Sequence, residues 1–152
     1  MRVPVRQRVG VVAAALWWGS LTGLGFVVVP LLFANLPTPA AAGAMAARLF
    51  SAQTWLSVGC AMLMLMAFNQ PDAAAPAPWV RMLMKFIVAG LLLALLVEFG
   101  VAPRIVSARI DGGNLKLWHG LGTAMYVGQW LCAGFALWRL TAGERPLVKQ
   151  PD

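Results

Sequence analysis

The chain has 152 residues, enough for one domain and no more. Hydrophobic residues make up 61% and charged residues only 11%, against about 25% charged in an ordinary soluble domain. A water-soluble fold of this size cannot hide so much apolar surface. The net charge of +7 is spread in short basic clusters between apolar runs. That pattern excludes a nucleic-acid patch and marks the flanks of membrane spans.

The first element follows a basic start, Arg2, Arg6 and Arg8. This start imitates a signal peptide, but the apolar run from Val9 continues through Trp17 and Trp18 to Phe33, too long for a signal core. The spacing predicts a retained signal anchor, with a span over residues 9–34. Pro30 lies near its far end, where it removes one hydrogen bond and kinks the helix. Asn35 to Pro39 reads as a turn, and Thr38 followed by Pro39 is a helix start, a capping hydroxyl before a proline at the first helical position. The alanine-rich stretch Ala40 to Ala47 is then helical and leads into a second span over 49–68. Asn69 to Pro78, with Asp72 and three prolines, reads as a loop.

The third span covers 79–102, with Pro103 just beyond it and helix continuing to Ile110. Asp111-Gly112-Gly113-Asn114 is a turn. The fourth span covers 115–140, and 141–152 is a polar tail. Each span exceeds the roughly 20 residues needed to cross hydrocarbon. Strands are excluded, because open sheet edges cannot face lipid and four spans cannot close a barrel. The expected fold is therefore an all-α membrane protein, four transmembrane helices in one antiparallel bundle. Cys60 and Cys132 lie inside apolar runs and read as small buried hydrophobes, not as a disulfide framework.

Two halves of the chain look alike. Phe26 to Leu31 and Phe99 to Arg104 each place a proline late in a helix, and Arg48-Leu49-Phe50 and Lys116-Leu117-Trp118 each open the next one. This predicts two repeated helical hairpins related about the membrane normal. Orientation follows from the basic residues. Arg2, Arg6, Arg8, Arg81, Lys85, Arg139, Arg145 and Lys149 fall on one side, and Arg48, Arg104, Arg109 and Lys116 on the other. The positive-inside rule puts both termini in the cytoplasm.

Lipid offers helices no hydrophobic reason to associate, so small residues must let them approach. Gly120, Ala124, Gly128, Cys132 and Ala136 recur every fourth position in the fourth span. Gly90 and Ala94 do so in the third, and Ala15, Gly19 and Gly23 in the first. These stripes predict tight internal crossings, with a homodimer seam as the alternative use.

Among polar residues, Glu98 is the one carboxylate well inside a span, where a charge costs about 2.5–3.5 kcal/mol at the bilayer centre and less near the edge. The single histidine, His119, opens the fourth span on the same side. The expected cluster near that surface joins Glu98, His119, Arg104, Arg48 and Gln53. It reads either as an ion pair that fixes helix register or as a proton, ion or small-ligand site. His119 also heads a face with Thr123, Tyr126 and Trp130. A catalytic nucleophile–base pair is absent from the pattern. Metal chemistry is a weaker alternative: His119 is one axial ligand for haem, and Met62, Met64, Met66, Met82, Met84 and Met125 suit Cu(I).

Several of these segments together resemble a known family. Trp18-Gly19-Ser20 with Gly25 to Phe33, Arg48-Leu49-Phe50, Val101 to Ile105, and Leu117-Trp118-His119-Gly120-Leu121 are similar to the signatures of the transmembrane protein 205-like family (bacterial domain of unknown function 4149). The resemblance runs from about residue 10 to 140. It implies a small four-helix membrane protein and draws attention to Pro30, Glu98, Pro103, Arg104, His119 and Gly120, without implying a mechanism. The functional expectation is a non-enzymatic structural, interaction or transport-related module. Its surroundings are the lipid bilayer, with a homodimer or membrane-protein partner. A haem- or copper-binding redox or resistance protein is the alternative.

Overall fold

The computed structural model describes residues 4–69 and 76–142. Arg2, Asp72, Arg145, Lys149 and the remainder of the tail lie outside the described residues. Helix α1 is Val5–Asn35, α2 is Pro39–Phe68, α3 is Pro78–Asp111, and α4 is Leu115–Thr141. The described chain contains no strand.

Local chemistry sets the ends. Thr38 Oγ1 accepts from the Ala41 N–H at 3.2 Å, with Pro39 at the first helical position. Asn114 Oδ1 accepts from the Leu117 N–H at 2.9 Å and opens α4. Gly112 ends α3 with φ +74°, and the Gly113 N–H closes the turn on Ala108 O at 3.0 Å. Only glycine takes that left-handed conformation without strain.

Neither Pro30 nor Pro103 stops its helix. Each follows a π turn, Leu24–Val28 in α1 and Val97–Val101 in α3, that ends two residues before the proline. The Val29 N–H reaches back five residues to Leu24 O, and the Ala102 N–H to Val97 O. In a regular α-helix a proline ring collides with the carbonyl four residues earlier. A turn widened by one residue moves that carbonyl away, so the expected kinks are taken up as π turns. The two turns fall at matching places, which gives the hairpin repeat a structural counterpart.

Helices α1 and α3 each pack against both α2 and α4. Trp17 of α1 meets Gly90 of α3 across the centre, and Gln129 of α4 meets Ser57 of α2. The polarity is inverted relative to a soluble protein. Phe26, Leu31, Phe33, Trp55, Met66, Leu92, Phe99 and Leu131 are exposed on the outside, while Gln53, Thr54, Ser57 and Gln129 are buried. Buried polar groups inside an apolar exterior make sense when hydrocarbon is the solvent.

Three helices, α1 to α3, are long and apolar enough to cross a membrane. Helix α4 has 27 residues but carries Lys116, His119, Gln129 and Arg139, which dilute its hydropathy. It is packed along its whole length all the same. Gly122 lies against Val101 and Ile105 at one end, and Leu140 against the Gly10 position at the other. It therefore crosses with its neighbours.

The small-residue stripes are corrected in part. Gly90 and Gly128 do sit at crossings, against Trp17 and Leu93, and Ala94, Cys132 and Ala136 are buried. A Cβ at Gly19, Gly23 or Gly120 would meet nothing, and Ala15 and Ala124 are exposed. The reason is helical drift. A period of four residues advances about 40° per step at 3.6 residues per turn, so the stripe from Gly120 to Ala136 turns off the packed face at its start. In α1 the packed face is Gly10, Ala13, Ala14, Trp17, Leu21 and Leu24, nearly opposite Gly19. The close approaches instead pair single glycines with aromatic rings: Gly10 with Phe68, Gly25 with Tyr126, Gly90 with Trp17, and Gly134 with Trp18.

Candidate functional site

Glu98 lies within the π turn of α3 and is half-buried. Because α3 continues to Asp111, Glu98 is near the middle of the helix, thirteen residues before its end, about 20 Å along the axis. Ser51 Oγ of α2 donates to Glu98 Oε1 at 2.5 Å. Beside Ser51, Phe50 packs edge-on against Tyr126 of α4, ring centroids 5.3 Å apart. Tyr126 Oη donates to Leu21 O at 2.7 Å, a carbonyl at the entrance to the α1 π turn. The second-half π turn thus presents a carboxylate to a serine, and the first-half π turn presents Gly25 to a tyrosine that bonds the Leu21 carbonyl just before it.

The expected five-residue cluster does not assemble. Gly122 of α4 is level with Val101 of α3, so His119 sits three residues outward of that level and Glu98 three residues inward. They are separated by about 9 Å along the bundle. His119 is exposed, and its carbonyl accepts from Thr123 Oγ1 at 2.9 Å. The Arg104 guanidinium lies 4.8 Å from the Trp118 ring centroid, a cation–π contact. Arg48 is exposed. Tyr126 and Trp130 pack on α1 instead of lining a cavity with His119, and Trp130 Nε1 donates to Thr22 Oγ1 at 2.8 Å.

Gln53 belongs to a different assembly. Its Nε2 donates to Ser20 Oγ at 2.9 Å and, at 3.4 Å, to Ser57 Oγ. Ser57 Oγ donates to Gln53 O at 2.8 Å and accepts from Gln129 Nε2 at 2.9 Å. Ser20 Oγ donates to Trp17 O at 2.9 Å. This network ties α1, α2 and α4 together at mid-bundle, and every member is neutral. Trp17 Nε1, also buried, has no acceptor among the described residues. The residues the sequence reading missed are Ser51, Ser20, Ser57 and Gln129. Their signal was present: Gln53 and Ser57 stand four apart on one face, and Gln129 is the only amide within α4.

Ser57 is the shared joint. Ser57→Ala strands Gln129 and leaves Gln53 only its bond to Ser20, whereas Gln129→Leu removes a donor and its burden together. Interhelical hydrogen bonds in membranes average about 0.6 kcal/mol and reach about 1.7. Ser57→Ala is expected to cost about 1 kcal/mol or more in a detergent unfolding titration and Gln129→Leu less. The reverse order would remove the joint.

Among the described residues no group of three His, Cys, Asp or Glu side chains converges as for a metal. Met62, Met66 and Met82 are exposed, while Met64 is buried on another face.

The profile of the family described as Domain of unknown function (DUF4149) matches residues 12–114, about two thirds of the chain. The match runs through α1 to α3 and ends where α4 begins. No curated protein and no solved structure matches the chain.

Proposed function

The chain belongs to the DUF4149 family, and from that premise we propose that it is a non-enzymatic, transport-related membrane module in which Glu98 is a proton- or cation-responsive site. The observation that carries this reading is the setting of Glu98: a carboxylate in a π turn at mid-helix, given a hydrogen bond by Ser51 alone among the described residues. Intramembrane carboxylates are costly and face a partner or a pathway. The register-fixing role has another owner, the neutral network around Ser57. Glu98 is then left for protonation or ion binding, and the π turn is an element able to change its hydrogen-bond pattern in response. Arg48, Arg104, Arg109, Asp111, Lys116 and His119 are the charged or titratable groups toward the same end among the described residues, each exposed.

The likeness to transmembrane protein 205-like proteins, through Trp18-Gly19-Ser20 and Trp118-His119-Gly120, is part of this reading. So is placement in a bacterial inner membrane with both termini cytoplasmic. A haem- or copper-binding role stays the alternative; a Soret band or stoichiometric copper in the purified protein would revive it.

The test is a pH series of thermal midpoints in lipid nanodiscs. The wild-type midpoint should respond to pH, and Glu98→Gln should remove that response. His119→Gln should leave it in place. A dependence that survives Glu98→Gln would sink the proposal.

A further inference from the structure

At the bundle end where α1 begins, an open groove of about 540 Å³ runs along the first turns of α3, lined by Pro78, Arg81, Met82, Lys85 and Phe86. Arg81 and Lys85 stand four residues apart, on one helix face and both exposed. Two like charges so placed repel each other. An anion between them reverses that repulsion.

The groove floor reaches α4. Phe86 stacks on Phe135 with ring centroids 4.0 Å apart, and Phe135 is followed by Trp138, ring centroids 5.9 Å apart. Arg139 lies one turn beyond Phe135, so the antiparallel register sets it opposite Met82, one turn before Phe86. Its guanidinium is 5.9 Å from the Trp138 ring centroid, and its Nε is buried with no acceptor among the described residues. The acidic residues among the described ones, Glu98 and Asp111, lie toward the middle and the far end of α3. Three cations therefore stand at the same end of the α3–α4 pair without a described carboxylate beside them.

We propose that this seam binds one anionic glycerophospholipid, its phosphate between Arg81, Lys85 and Arg139 and an acyl chain along Met82 and Phe86. The layering fits lipid chemistry. The charges and Trp138 sit near the helix ends, at headgroup depth, and the apolar side chains of the groove lead from them toward the hydrocarbon. Basic pockets between membrane helices recognise anionic headgroups in this way. The inference is independent of Glu98, which lies in another part of the bundle.

Native mass spectrometry of the full chain in detergent, titrated with phosphatidylglycerol or with phosphatidylcholine, tests it. The wild type should retain one phosphatidylglycerol at least tenfold more tightly than phosphatidylcholine. Arg81→Gln/Lys85→Gln should lose that preference, whereas the charge-matched Arg48→Gln/Lys116→Gln at the other end should keep it. Both double variants change exposed residues, and a thermal midpoint near that of the wild type confirms that each is folded. Equal retention of the two lipids by the wild type, equal loss in both double variants, or displacement of the lipid by millimolar inorganic phosphate would each overturn the proposal.

Discussion

Trp17→Ala is expected to destabilise the bundle by about 3 kcal/mol or more, the largest effect of any single truncation. Trp17 is fully buried and lies against Gly90, where α1 meets α3. Lipid lessens the transfer penalty that such a truncation carries in water, because the exposed alternative is also apolar. What remains is the lost dispersion of a whole indole ring and the void it leaves, which three other helices would have to close. Trp55, 60% exposed on the lipid face of α2, is the control. Trp55→Ala should change the unfolding free energy by less than about 0.5 kcal/mol. Unfolding in mixed micelles with increasing ionic detergent, read by far-ultraviolet circular dichroism, gives both numbers. Similar values would mean that Trp17 does not anchor the centre.

Gly90→Val should be nearly as damaging. A Cβ at Gly90 would come within 2.8 Å of Trp17 Cη2 and 3.1 Å of Cys132 Cβ. The indole is enclosed, so neither neighbour has room to give, and overpacking of this kind costs about 1–3 kcal/mol or more. The same substitution at Gly19 or Gly23 meets nothing and should be close to neutral. Because Gly90 and Trp17 compete for one volume, their effects should not add. Gly90→Val combined with Trp17→Phe should be more stable than the sum of the two single changes. Strict additivity in the same titration would place the two residues apart.

The pattern of elements was legible in the sequence because its signals are local. Thr38-Pro39 caps a helix wherever it occurs, Gly112-Gly113-Asn114 cannot continue one, and long apolar runs announce lipid. The site was less legible because it depends on register between helices. Reading Pro103 as the edge of a span put Glu98 near the surface and level with His119. The π turn carries α3 through that proline to Asp111, which draws Glu98 inward and leaves His119 outside. The same distance dependence explains Gln53, whose partners Ser20 and Ser57 become evident only once α1 and α2 are aligned. The small-residue stripes failed for a geometric reason, since identity at every fourth position does not keep a residue on one face over five repeats. Glycine opposite an aromatic ring, the pairing the bundle uses at Gly10, Gly25, Gly90 and Gly134, has no fixed spacing to read.

Helix α4 is where the membrane account is most exposed to failure, since it supplies Gln129 and Tyr126 yet has the most polar sequence of the four. Single cysteines at Asn114, Val127 and Leu131, on a background with Cys60 and Cys132 replaced by alanine, allow each position to be challenged in sealed vesicles. The expected result is rapid reaction of Asn114→Cys with a membrane-impermeant maleimide from the periplasmic side only, while Val127→Cys and Leu131→Cys react solely with a lipid-soluble reagent. Labelling of the latter two by the impermeant reagent, as fast as at Asn114, would place α4 in water and contradict the four-helix membrane bundle.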